Sequence, residues 1–247
     1  MNDILCRQLA LDYCCSPDDV RDRRNHFSVY RRLDGRRRFN ETEKCFFKAA
    51  VVNGKILFTG DERIIAQMRE RYGDTGGEWF FEVKNLRRIA DMLREYGYRI
   101  EMVHPFYIAE KTEPVETGEL EIRRYYDADI GQFRGDKRFG EAFCFSEDAP
   151  DVIGIAALRG GEIVGMAGAS CDSPLMWQIG INVEPDARRC GAGKTLVALL
   201  KNEILGRGKL PFYGTSVSHI ASQRTALAAG FLPAWAELTT VQAVQSA

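Results

Sequence analysis

The passage from residue 175 to residue 206 constrains this chain most. An apolar run over residues 175–183 reads as a strand. Glu184-Pro185-Asp186-Ala187 turns the chain, and Arg188-Arg189-Cys190-Gly191-Ala192-Gly193 leads into a helix over residues 193–205. In that helix Leu196, Leu199, Leu200 and Ile204 share one face, and Gly206 is its stop. A strand that passes through a glycine-rich turn into an amphipathic helix is the unit of an α/β fold. The two glycines let the backbone turn tightly and approach a ligand closely. The unpaired N–H groups and positive dipole end of the following helix favour an anion. Arg188, Arg189 and Lys194 add positive charge, so a pyrophosphate suits the loop.

Gly191-Ala192-Gly193-Lys194-Thr195 also ends like a nucleotide-binding P-loop. That loop needs a glycine five residues before Gly193, where this chain has Arg188. No apolar strand ending in aspartate follows to hold magnesium. ATP hydrolysis is therefore not expected.

The same alternation of elements runs along the rest of the chain. Residues 46–52 and 55–58 flank Asn53-Gly54, the strongest short hairpin signal, because both turn positions must tolerate positive φ. Asp61 can cap a helix to Tyr72, stopped by Gly73. Asn85 can cap a second, with Leu86, Ile89, Ala90 and Leu93 on one face and Gly97 as stop, before a strand over residues 98–103. Residues 110–121 are charged, contain Pro114 and Gly118, lack apolar periodicity and read as a linker. Beyond it, strands are expected over residues 152–158 and 162–169, joined by Gly160-Gly161, then over 212–216 and 231–238. Between the last two, Ser218 can cap a helix that stops at Gly230. Two domains follow: an α/β companion at 1–112 and a second at 119–247.

Composition excludes several classes. The chain has 247 residues with net charge −1, so no global field draws it to nucleic acid or an anionic membrane. The start shows no signal peptide, and no run approaches the roughly 18 apolar residues of a membrane span. The seven cysteines include no C-x-x-C pair and read as free thiols of a cytoplasmic protein. With three histidines and no ligand spacing, no metal is expected. Residues 21–38 carry eight arginines interleaved with His26, Phe27 and Tyr30. Asp22 and Asp34 favour local pairing on a solvated face over a nucleic-acid surface.

The run from Val183 through Arg188-x-x-Gly191-x-Gly193, followed by Ser218-His219-Ile220-Ala221-Ser222-Gln223-Arg224 and Ala229-Gly230-Phe231, resembles the GNAT superfamily of acyl-CoA N-acyltransferases. The resemblance covers roughly residues 120–240, and the whole chain is similar to a two-domain bacterial group of that superfamily. It implies a mixed sheet, flanked by helices, that splays between its fourth and fifth strands to admit acetyl-CoA as co-substrate. The acceptor would be a small-molecule or protein amine, with a homodimer as a candidate assembly.

The resemblance also implies residue roles. Pyrophosphate would sit on the amides of Arg189, Cys190, Gly191, Ala192, Gly193 and Lys194, beside Arg188. The pantetheine arm would pair with the backbone of Ile181, Asn182 and Val183, and an N–H near Val183 would polarise the thioester carbonyl. Ser222 would offer a hydroxyl to the pantetheine or phosphate side. Many family members place a proton-donating tyrosine midway along the Gly-Phe helix, and here that position is Ala226. Ser216 and His219 become the donors within reach, and Glu184 the candidate base. Cys190 offers its backbone. Trp177 and Gln178 should split between core and acceptor cleft. The rival expectation is a catalytically idle CoA-binding sensor or interaction module, which would bind without turnover.

Overall fold

The computed structural model describes residues 1–37, 45–188 and 190–243. The chain divides into two units, residues 1–106 with 234–247, and residues 107–233. Both are α/β.

In the first unit the helices α1 (Asp3–Asp12) and α2 (Pro17–Arg21) precede β1 (His26–Val29), β2 (Phe47–Val52) and β3 (Lys55–Gly60). Then come α3 (Glu62–Tyr72), α4 (Val83–Arg94) and β4 (Tyr98–Ile108). The last strand of the chain, β10 (Leu232–Gln242), pairs antiparallel with β2, Ala236 opposite Val51 and Thr239 opposite Lys48. The strands lie in the order β1-β3-β2-β10-β4. Asn53 and Gly54 take φ of 51° and 78°, as the β2–β3 hairpin requires. Phe47, Phe58, Ile64, Met68, Tyr72, Phe80, Ile89 and Leu93 close a core over this hairpin, joined by Leu238 of β10.

Two expected caps move. Asp61 caps α3 through Arg63 N–H as expected. Helix α4, however, starts at Val83, because the Glu82 carbonyl already takes the N–H groups of Asn85 and Leu86. Asn85 instead donates its amide to Trp79 O at 3.1 Å. Likewise the helix α6 (Ile220–Ala228) has His219 as its N-terminal cap residue, and Ser218 turns its N–H and hydroxyl to Ser216.

The second unit holds β5 (Glu121–Tyr126), β6 (Asp151–Arg159), β7 (Glu162–Ser170), β8 (Met176–Val183), α5 (Ala192–Gly206), β9 (Leu210–Gly214) and α6. Strand order is β9-β8-β7-β6-β5, antiparallel throughout except for the parallel pair β8–β9. This is the expected mixed sheet flanked by helices. One face carries Ile153, Ile155, Ala167, Ala169, Trp177 and Ile179 against Leu196, Val197, Leu200 and Ile204 of α5. The alternation of side chains sends the neighbouring residues to the other face, where Tyr125, Phe133, Phe139 and Phe143 pack.

On that second face Gly154, Gly168 and Gly180 stand opposite one another across β6, β7 and β8. They form a trough for residues 141–143. A Cβ at Gly180 would stand 1.7 Å from the Glu141 carbonyl oxygen, and one at Gly168 2.0 Å from that of Ala142. Asn182 fixes the segment from the side, its Oδ1 accepting the N–H groups of Glu141 and Ala142 at 2.9 and 2.8 Å. Within the stretch read as a linker, Glu113 is tied to α5. Its N–H and carbonyl pair with the Asn202 amide, and its carboxylate lies 3.1 Å from the buried Lys201 Nζ.

Candidate functional site

The site begins where β8 ends. A single 3-10 turn over Pro185–Ala187 swings the chain out of the sheet, and α5 starts within a few residues. Gly191 is the N-terminal cap residue of α5 at φ 85°, a left-handed conformation that an L side chain adopts only at a cost. Among the described residues no side chain caps α5. Its first N–H groups are therefore open to an anion from outside. Arg188 and Lys194, both exposed, flank this terminus. The Cys190 thiol donates to Ala187 O at 2.8 Å, which folds the side chain back and leaves its backbone to the loop. Ala192 is buried beneath the helix start. Gly193 lies close against Val183 Cγ2 and Thr225 Cγ2, so little more than a methyl group fits there. Arg189 lies outside the described residues.

The second element of the site is a parting of strands. β8 and β9 pair through Met176–Leu210, Trp177–Pro211 and Gln178–Phe212, and no further. From Ile179 to Val183, β8 pairs on the β7 side alone. The Glu184 N–H donates to Val164 O of β7. Two-residue alternation then aims the N–H groups of Ile181 and Val183 to the other edge, into the opening. That edge ends at the α5 loop. Arg188 Nε reaches back to Val183 O at 3.1 Å, so its side chain lies across the mouth. The Asn182 side chain is committed to residues 141 and 142, and the same alternation turns its backbone to β7, so the expected contact of Asn182 with the arm is not offered here. Of the pair Trp177 and Gln178, Trp177 enters the core and Gln178 the opposite face.

The proton-transfer candidates are spread out. Ser216 and His219 sit on the turn that leads into α6, Ser216 half-buried with its hydroxyl 3.1 Å from Ser218, and His219 exposed. Glu184 is half-buried at the end of β8. Ser222 lies on the first turn of α6, and its hydroxyl is 2.8 Å from the Tyr213 hydroxyl. Ala226 is fully buried in the core shared with Tyr213 and Phe231. Tyr213 itself escaped the sequence reading, since nothing around it in sequence marks it. It is the first residue of β9 beyond the pairing with β8 and is only 2% exposed. Burial pushes its hydroxyl up, the Ser222 hydrogen bond draws it partly back, and the charge of Glu141 adds to the rise.

The arginine-rich stretch divides. Arg21 and Arg24 pair with surface carboxylates as expected. Arg37 instead enters the core of the first unit, between Asp12 and Glu237. Asp19, Asp22 and His26, each half-buried, gather elsewhere in that unit with their ligand atoms within 4.8 Å of one another. Lys55 Nζ lies 3.0 Å from Asp22 in the same group, and His26 bridges the two aspartates.

Over residues 100–231 the sequence matches the acetyltransferase (GNAT) family. No curated protein matches it. Among solved structures, a GNAT-family structure from Novosphingobium aromaticivorans shares 18% identity over 58% of this chain and 66% of that one, with a TM-score of 0.41. This chain thus spans just under two thirds of its length. A GCN5-related N-acetyltransferase-like protein from Streptococcus suis shares 15% identity over 83% and 88% of the two chains, TM-score 0.47. An aminoglycoside N-acetyltransferase in complex with CoA shares 26% identity over 45% of this chain and 91% of its own, TM-score 0.35.

Proposed function

This chain belongs to the GNAT acetyltransferase family, and on that premise we propose that it moves an acetyl group from acetyl-CoA to an amine by direct attack in a ternary complex. The observation that carries the reading is the junction of two features in one place. An α5 N-terminus capped by left-handed Gly191 lies at the end of a strand edge that β9 has left. The first offers amides and dipole to a pyrophosphate. The second offers Ile181 and Val183 to the amides of a pantetheine arm, as a further strand would.

In this proposal Arg188, Arg189, Cys190, Gly191, Ala192, Gly193 and Lys194 hold the pyrophosphate. Ile181 and Val183 align the arm through their backbone, while Asn182 between them is turned to β7. The Val183 N–H polarises the thioester carbonyl as charge develops on its oxygen. Glu184 is the candidate base for the amine. Ser216 and His219 are donor candidates at the α6 entrance, and Ser222 borders the arm. The acceptor is a small-molecule or protein amine, and the companion region 1–112 carries no assigned chemistry. We place the protein in the cytoplasm. The seven cysteines without a C-x-x-C pair suit that compartment, and no helix among the described residues is long and apolar enough to cross a membrane.

Titration calorimetry with acetyl-CoA tests the site, with Gly193→Val as the control that fills the loop. Absence of heat at high micromolar ligand, or equal binding by the variant, refutes it. A screen of amines by thiol release tests the reaction. Ala226 in place of a helix tyrosine favours a second reading, a CoA-binding module without turnover. Binding with no thiol release from any amine selects that one.

A further inference from the structure

We propose that Arg159, the last residue of β6, binds the 3′-phosphate of CoA and lets the site tell CoA from dephospho-CoA. The inference rests on the acyl-CoA reading and names a recognition residue for it outside the α5 loop.

Strand register brings this arginine to the loop. Ile153, Ile155 and Ala157 of β6 face α5, and side-chain alternation turns Arg159 to the same face. β7 runs antiparallel to both β6 and β8, so Arg159 and Val183 lie at the same end of the sheet. Gly160 and Gly161, at φ of 59° and 85°, make the tight turn that holds Arg159 at its strand end. From there Arg159 Nη2 reaches Cys190 Sγ at 3.8 Å, one residue before the Gly191 cap of α5.

Nothing local accounts for that position. Arg159 stands opposite Glu162 across the hairpin, yet among the described residues it makes no ion pair. It is exposed, and the thiol it meets is a weak acceptor. A cation beside the positive end of a helix is repelled by the dipole rather than held by it. An anion between the two turns that repulsion into attraction.

The two sides of the loop say which anion. The opening for the arm lies on the β9 side of β8, and Arg188 crosses its mouth to Val183 O. Arg159 comes from the other side, with β7 between its strand and β8. A ligand whose arm runs along β8 and whose pyrophosphate rests on the α5 amides continues past the loop with its nucleoside end. In CoA that end carries a third phosphate, on the ribose 3′ oxygen. The planar fork of Arg159 matches a phosphate bidentately, and the Cys190 sulfur yields its place to a phosphate oxygen.

The test compares CoA with dephospho-CoA, by calorimetry on the full chain, in the wild type and in Arg159→Gln. The wild type should prefer CoA at least about tenfold, the worth of a hydrogen bond to a charged group. The variant should hold the two ligands within about twofold of each other and bind dephospho-CoA as the wild type does. That last binding also reports that the variant is folded and that the rest of the site is intact. Equal affinity of the wild type for both ligands overturns the assignment. So does an equal loss of both in the variant, which would put Arg159 on the pyrophosphate. Failure of the wild type to bind either ligand removes the acyl-CoA reading and this inference with it. With any amine found by thiol release, Arg159→Gln should raise KM for acetyl-CoA about tenfold at unchanged kcat, the mark of binding that ground and transition states share. A fall in kcat at unchanged KM also overturns it.

Discussion

In the first unit the guanidinium of Arg37 is fully enclosed, its Nε on Asp12 and its Nη2 2.9 Å from Glu237. Trp235 lies 4.8 Å from its centre and donates its indole N–H to the same Glu237 oxygen. In the second unit Arg188 and Lys194 stand exposed at the start of α5, and neither meets a carboxylate among the described residues. The contrast separates two uses of charge. Burial alone would push the Arg37 guanidinium down, but Asp12 and Glu237 outweigh it and hold the charge in place. Its partners are all within the chain, so it is spent on cohesion. The loop cations have nothing of the kind, and a ligand is what would complete them. The inner face of the second unit is instead organised by shape, with the glycine trough filled by main chain.

The largest expected effect tests the first half of this contrast. Arg37→Ala leaves Asp12 and Glu237 buried without their cation, and breaking such a pair typically costs about 3–5 kcal/mol. Urea unfolding of the full chain should show a loss of that order. A loss below about 1 kcal/mol would mean that the carboxylates accept protonation cheaply and that the network is not what holds this core.

The trough comes next. Gly180→Ala places a Cβ where the Glu141 carbonyl oxygen already is, and the obstacle is main chain held at its neighbours by Asn182. Overpacking of a fixed core costs roughly 1–3 kcal/mol. A thermal melt should show the loss, and Gly168→Ala should repeat it. If both variants melt with the wild type, residues 141–143 are free to lift, and fit is not what organises that face.

These same features mark the limit of what the sequence discloses. The α5 loop was legible because its determinants are contiguous: an apolar strand, two glycines and a helical stripe fall in one short window. The Asn53-Gly54 hairpin was legible for the same reason. Gly154, Gly168 and Gly180 are individually unremarked glycines, and only the register of three strands makes them one surface. Arg37 and Glu237 lie 200 residues apart, and the pairing of β10 with β2 that unites them leaves no local trace. It also means that a cut within residues 110–121 leaves the last strand paired in the first unit. Tyr213 is the clearest case. The Gly-Phe helix carries Ala226 where the family resemblance implies a phenol, and the tyrosine that shares that alanine's core comes from a strand.

The smallest effect on stability should fall on the loop cation, and it carries the comparison's other half. Lys194 is exposed on the first turn of α5, where a positive side chain adds to the positive end of the helix dipole and gains nothing from it. Its removal should leave the unfolding free energy within about 0.5 kcal/mol of wild type. The affinity for acetyl-CoA should behave oppositely. A hydrogen bond to a charged group contributes about 1.5–3 kcal/mol, so Lys194→Ala should weaken binding at least about tenfold, and added salt should narrow the gap by screening the wild type. Calorimetry and urea unfolding on the same preparation decide between the outcomes. Lost stability with unchanged affinity would make Lys194 another structural cation like Arg37, and the division of charge between the two units would fail. Unchanged stability with unchanged affinity would assign the pyrophosphate to the α5 amides alone, with Gly191 rather than any side chain as the residue the site depends on.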